Sequence, residues 1–236
     1  MMRESGRVLA KIVAELRPSI KAGVRTKEID AFAEDLIRKN QAIAAFKGYR
    51  GFPANVCVSL NEEIVHGIPN ERIINEGDLV SLDIGINLNG FFSDTAFTVA
   101  IGEVSSQKKK LTEVARKALE LGIAKVKVNN HLSDISAAIQ HFVESRGFSV
   151  VRDFVGHGIG KRMHEDPEVP NFGPAHQGPL LKVGMVLAIE PMVNAGSWES
   201  EVLPNGWTAV TKDRKPSVHF EHTVALTEKG AEVLTK

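Results

Sequence analysis

The stretch Ser81-Leu82-Asp83-Ile84-Gly85-Ile86-Asn87-Leu88-Asn89-Gly90-Phe91-Phe92-Ser93-Asp94-Thr95-Ala96-Phe97-Thr98-Val99 decides the fold. It reads as two strands joined by a turn. Leu79 to Ile86 is mostly apolar with Asp83 in its middle, and Phe91 to Ala100 is a second apolar run interrupted at Asp94. Asn87 to Gly90 supplies residues that tolerate positive φ. Pairing through this turn brings Asp83 and Asp94, eleven residues apart in sequence, close together. A lone buried carboxylate is costly and two side by side are worse, so a counter-charge is required. It can be a Lys or Arg, a shared proton or a metal ion. No Lys or Arg falls between residues 73 and 107, which disfavours a local salt bridge. The alternative without a counter-charge is two solvated turn acids.

A second copy of the pattern lies downstream. Gly77-Asp78-Leu79-Val80-Ser81-Leu82-Asp83 parallels Gly184-Met185-Val186-Leu187-Ala188-Ile189-Glu190, offset by 107 residues. Asp94-Thr95-Ala96-Phe97-Thr98-Val99 parallels Glu221-His222-Thr223-Val224-Ala225-Leu226. Helices expected at 26–40, capped by Thr26 with Phe32 inward, and at 133–146, capped by Ser133, are offset by 106. The chain therefore reads as a single α+β catalytic domain, 1–236, of two similar halves, about 1–105 and 106–236. Packed about a pseudo-twofold axis, the halves would converge four carboxylates on one site. A first helix is expected at 3–17, closed by Pro18, a third over 108–128, and strands at 148–155, 184–193 and 217–227.

Composition narrows the chemistry. Of 236 residues, 43% are hydrophobic and 25% charged, an ordinary globular balance. Lys plus Arg equals Asp plus Glu at 29 each, so charge gives no reason to expect DNA or an acidic membrane as partner. Cys57 is the single cysteine, which excludes an internal disulfide and a thiolate zinc site and suits a reducing cytoplasm. Neither a signal peptide nor a membrane-spanning run is read. The basic run Lys108-Lys109-Lys110 is most simply a solvated helix start, with a ribosome contact as the alternative.

Asp83, Asp94, Glu190, Glu221 and His157 make an oxygen-rich set with one imidazole. Such a set suits Mn, Fe(II), Co or Zn, and two divalent cations balance four carboxylates better than one. His66 and His164 sit beside Gly or on a Gly-rich turn, where a side chain can reach a cavity and serve substrate oxygen or an amide proton. His131, His141, His176 and His219 carry no such signal. Gly156-x-Gly158-x-Gly160 lacks the Lys-Ser/Thr of a phosphate loop.

These residues together resemble one family. Asn61-Glu62-Glu63-Ile64-Val65-His66-Gly67-Ile68-Pro69, the Asp83/Asp94 spacing, Gly156-His157-Gly158-Ile159-Gly160 with His164, Ile189-Glu190-Pro191-Met192 and Glu221-His222-Thr223 are similar to the motifs of the methionine aminopeptidases, in their short bacterial type I form with the pita-bread fold. The resemblance covers nearly the whole chain. It implies removal of the N-terminal Met of nascent polypeptides when the next residue is small. It implies two metals: Asp83 on one, Asp94 and Glu221 bridging, His157 and Glu190 completing the second. Glu190 would also act as general base, His164 would hold the scissile carbonyl, and His66 would contact the substrate nitrogen. A Met pocket is implied from Tyr49, Phe52, Cys57, Met163 and Trp207, with Met163 and Phe52 differing from the aromatic residues frequent in relatives. A monomer is expected. Xaa-Pro peptidases share the fold, but usually add an N-terminal domain and a His four residues before the metal His; Asp153 stands at that position here.

Overall fold

Why the central hairpin forms is local. The computed structural model describes all 236 residues, and strands Leu79–Leu88 and Phe91–Ala100 pair antiparallel along their full length. The turn narrows to Asn89 and Gly90, both with positive φ (53° and 84°), the two-residue geometry whose twist matches that of the strands. Asp83 lies opposite Ala96, and Asp94 lies opposite Gly85. The two acids are thus diagonal neighbours on one face of the hairpin. The other edge of Leu79–Leu88 is covered by Cys57–Leu60 along its first half and Ile43–Ala44 near its end.

The second half builds a five-stranded antiparallel sheet in the order Gly230–Val233, His222–Thr227, Val186–Ile189, Gly156–Gly158, Glu165–Val169. Its join to the first half is a backbone crossing. The Asp94 N–H donates to Thr223 Oγ1 at 3.0 Å, and the Thr223 hydroxyl returns a bond to the Asp94 carbonyl at 2.7 Å. The Glu221 N–H donates to the Ala96 carbonyl at 2.8 Å, and the Thr95 hydroxyl donates to the Glu221 carbonyl at 2.7 Å. Asp94 faces Thr223 while Ala96 faces Glu221, so the strands cross about a local dyad between Thr95 and His222. The repeat in the sequence is this dyad.

Helices α1 (Met2–Leu16), α2 (Thr26–Lys39), α3 (Ser106–Ile123) and α4 (Ser133–Glu144) pack in pairs, α1 with α2 and α3 with α4, outside the strands. Leu9, Ile12 and Leu16 of α1 are fully buried, each worth about 1.5–3 kcal/mol relative to exposure. One apolar cluster of 41 buried residues takes side chains from all four helices and from strands of both halves.

Several expectations change. Thr26 and Ser133 are not caps. The Thr26 hydroxyl pairs with the backbone of Asn70, and Ser133 Oγ accepts from the Gln177 N–H, because loops fold back over both helix starts. Glu28 does the capping of α2 by accepting the Arg25 N–H at 2.6 Å. Phe32, expected inward, is 39% exposed. Lys108 is not solvated: its ammonium donates to the Gly77 carbonyl at 2.6 Å and to Asn61 Oδ1 at 3.0 Å, tying α3 to the hairpin's entry turn. Only Ser149–Val150 of the stretch 148–155 is strand. The segments 184–193 and 217–227 each break beside their acid, before Pro191 and at Phe220–Glu221, into pieces belonging to two sheets.

Candidate metal centre and substrate pocket

Each half delivers its acids by strand geometry. Asp83 and Asp94 project from the hairpin face; Glu190 follows the end of Val186–Ile189, and Glu221 precedes His222–Thr227, which pairs with that strand through Ile189 and His222. His157 comes from the adjacent strand, opposite Ala188. Its flanking glycines are a packing requirement: a Cβ on Gly156 would lie 2.2 Å from the Ala188 carbonyl, and one on Gly158 2.2 Å from that of Asp166. This explains the Gly-rich segment without any phosphate.

Ligand-type atoms of Asp94, His157 and Glu221 all lie within 4.8 Å of one another. Asp83, Glu190 and these three line one cavity of about 160 Å³. His157 Nδ1–H donates to the Gly158 carbonyl at 2.8 Å, which leaves the Nε2 lone pair facing Glu190 Oε1 at 3.6 Å. Asp83 Oδ1, Asp94 Oδ1 and Glu221 Oε1 are buried with no hydrogen-bond partner. Burial, reinforced by the neighbouring carboxylates, pushes Asp83, Glu190 and Glu221 well above the usual carboxylate range. Burial raises Asp94 to about 7. Four acids that cannot all ionise together, orphaned oxygens and a free imidazole lone pair form a donor set that fits divalent cations of borderline to hard character.

The other wall of the cavity is apolar. Phe52, Cys57, Met163, Tyr49 and Trp207, all five expected there, line it with Phe46 and Arg50. Phe52 and Trp207 meet edge to face, their centroids 5.1 Å apart. Gly85 makes room for this wall, since a Cβ there would sit 2.9 Å from a Phe46 ring carbon and 3.3 Å from Met163 Cε.

His66 and His164 reach the same cavity from opposite sides. His66 adopts a left-handed φ of 59°, with its ring edge-on to Phe154 (5.5 Å) and Trp207 (6.4 Å). Gly67 allows that conformation: its added Cβ would lie 2.3 Å from the Val58 carbonyl. His164 Nδ1 is 2.9 Å from the Tyr49 hydroxyl, and its ring centroid is 4.2 Å from that of His157. Burial and the neighbouring His157 lower His164 to about 4, so it is neutral near pH 7. Burial also lowers His66 and His157.

Three contributors carried no signal that was used. Arg50 enters from the loop Gly48–Gly51, where it takes a left-handed φ of 50°, and Phe46 from the segment just before it. His219, read as an ordinary histidine, is 2% exposed with Nε2 3.7 Å from Glu190 Oε2. It closes the strand Ser217–His219, and the chain breaks at Phe220–Glu221 before the next strand, so no single alternation links it to Glu221.

The buried acid and imidazole cluster beside an apolar pocket suits a metal-dependent hydrolase, and the sequence profile of metallopeptidase family M24 matches residues 1–228. The chain belongs to that family, among its bacterial type I methionine aminopeptidases. It is 52% identical to methionine aminopeptidase 1 of Bacillus subtilis over 236 residues, spanning 100% of this chain and 95% of the relative. Identity to the methionine aminopeptidase of Escherichia coli K12 is 40%, over 99% of this chain and 89% of that one. The crystal structure of the Thermotoga maritima methionine aminopeptidase superposes with a TM-score of 0.97 at 44% identity, covering 99% of this chain and 94% of that chain. The Pyrococcus furiosus prolidase shares the fold at a TM-score of 0.80 and 24% identity, with this chain covering 63% of it.

Proposed function

We propose that the chain removes the N-terminal methionine from nascent polypeptides whose second residue is small, by hydrolysing the first peptide bond. The observation that carries this reading is the single cavity whose apolar wall, Phe46, Phe52, Cys57, Met163 and Trp207, ends on the acid cluster. An unbranched thioether fits such a wall, and the bond next to it then lies at the acids.

Asp83, Asp94, His157, Glu190 and Glu221 would hold two divalent cations of the Mn, Fe(II), Co or Zn kind. Bound there, the cations would supply Lewis acidity toward the scissile carbonyl and toward an attacking water. Glu190 takes the water's proton as general base and returns it to the departing nitrogen, which leaves as the amine. With the Tyr49 hydroxyl donating to His164 Nδ1, the ring proton of His164 sits on Nε2 and is offered to the carbonyl oxygen as negative charge develops there. His66, fixed by Phe154, Trp207 and the left-handed turn, hydrogen-bonds the peptide nitrogen as it departs with its proton. The two halves, about 1–105 and 106–236, act as one catalytic unit, because each supplies only two of the four acids.

We place this activity in the cytoplasm and in a monomer, in keeping with a single buried cysteine and no helix long and apolar enough to cross a membrane. A ribosome contact through the Lys run falls to Lys109 and Lys110, which are exposed, since Lys108 is engaged. Protein reconstituted with Mn or Co should release Met from Met-Ala-Ser and leave Met-Lys-Ser intact. Faster cleavage of Ala-Pro-Ala would overturn the methionine reading in favour of an Xaa-Pro peptidase.

A further inference from the structure

We infer that His219 is a positioning residue for Glu190, donating its Nε2–H to the carboxylate that the proposed function uses as general base; the inference rests on that reading. His219 lies in the strand Ser217–His219, opposite Met192, two residues beyond Glu190 on the neighbouring strand. Its side chain is 2% exposed, and Nε2 is buried with no hydrogen-bond partner. Glu190 Oε2 is 3.7 Å away, and a carboxylate rotation of about 0.5 Å closes this to hydrogen-bond range. A buried ring nitrogen is rarely left without a partner, and this carboxylate oxygen faces it.

Glu190 is bracketed by two imidazoles. On one side, His157 presents the Nε2 lone pair to Oε1, because its own proton is committed to the Gly158 carbonyl. A lone pair cannot orient a carboxylate by hydrogen bonding. On the other side, His219 is the ring that can. Asn171 Nδ2 bonds the Glu190 backbone carbonyl at 3.1 Å, which fixes the main chain but leaves the side chain to rotate.

The backbone that carries His219 is itself clamped. Its N–H donates to Thr98 Oγ1 at 3.0 Å, and the Thr98 hydroxyl donates to the His219 carbonyl at 3.0 Å. Thr98 is held in turn by Ser81 Oγ at 2.8 Å. Ser81 and Thr98 belong to the hairpin that bears Asp83 and Asp94. A polar chain therefore runs from the first-half acids' own strands, through His219, to the second-half base.

The test compares His219→Gln, which keeps a side-chain donor, with His219→Leu, which keeps bulk and loses it. In Mn-loaded protein, His219→Leu should lower kcat on Met-Ala-Ser by about 10–100-fold with KM little changed, and His219→Gln should recover most of that loss. A second readout needs no turnover. In nitrogen-15 spectra of histidine-labelled wild type, the His219 Nε2–H should be a slowly exchanging resonance, and Glu190→Ala should make it exchange faster. Folding of each variant is checked by its melting temperature. Equal kcat in His219→Leu and wild type, or equal loss in folded Gln and Leu variants, overturns the inference, as does an Nδ1–H tautomer. Absence of Met release by the wild type would sink the proposed function, while the resonance would still report on the His219–Glu190 pair.

Discussion

Loading the metal centre near neutral pH should expel protons in a number set by the four buried acids. Asp94 titrates at about 7, against 3.8 unperturbed, and Asp83, Glu190 and Glu221 are raised well above their ordinary range. At pH 6, below its value of about 7, Asp94 holds a proton in the metal-stripped protein, and burial favours protons on the other three acids as well. His164, at about 4, is neutral there, and burial lowers His157 and His66 too. Cations bind carboxylates, so filling the site at pH 6 should release more than one proton. At pH 8 Asp94 is largely ionised already, and the number should drop by about one.

The same shifts fix the pH dependence of stability. Asp94 has a folded value above its unfolded one, so its contribution is fully present below about pH 3.8 and is lost as pH rises through about 7, at up to about 1.4 kcal/mol per pH unit. His222 and the more exposed His164, both lowered to about 4, act oppositely: their contribution is present above about pH 6.5 and is lost as pH falls through about 4. In stripped protein the two trends oppose each other between pH 4 and 6.5. Bound cations remove the acid trend, so metal should raise the melting temperature most near pH 8 and little near pH 5. Titration calorimetry with Mn in two buffers of different ionisation enthalpy counts the protons. Release of fewer than one proton at pH 6 would refute the reasoning, because the acids would then be ionised without a cation.

Two substitutions probe the histidines. His164→Ala should cut kcat on Met-Ala-Ser by about 100–1000-fold, the cost of one oxyanion donor, while metal content by atomic emission stays near that of wild type; loss of metal would make His164 a ligand instead. Gly67→Ala places a Cβ 2.3 Å from the Val58 carbonyl. That overlap should cost about 1–3 kcal/mol, a fall in melting temperature of about 2–12 °C, and by displacing His66 should lower kcat/KM about 100-fold. Unchanged melting and unchanged kinetics would show that the turn has room.

Much of the site was legible because its parts are local or repeated. Asp83 and Asp94 are joined by a turn that their own sequence specifies, so their proximity follows from period two and Asn89-Gly90. Glu190 and Glu221 followed from the repeat. Thr26, Ser133 and Lys108 were misread for one reason: loops from elsewhere supply or claim their hydrogen bonds, at Asn70, Gln177 and Gly77. Arg50, in a Gly-bounded loop, and Phe46, in the irregular segment before it, carry no periodicity that aims their side chains.

The sequence by itself determined the class of chemistry: four carboxylates and an imidazole on strands of two similar halves, with a counter-charge that no nearby Lys or Arg could supply. It determined this because strand alternation and turn residues act over a few positions. Only the tertiary structure decided how the halves meet. The crossing of Asp94 with Thr223 and of Ala96 with Glu221 depends on the Thr223 hydroxyl and one main-chain bond, between residues more than a hundred positions apart. That crossing brings the acids of the two halves together, and the pairing of His219 with Met192 brings its ring beside Glu190. Such contacts are chosen by packing of the whole core, which no short stretch encodes.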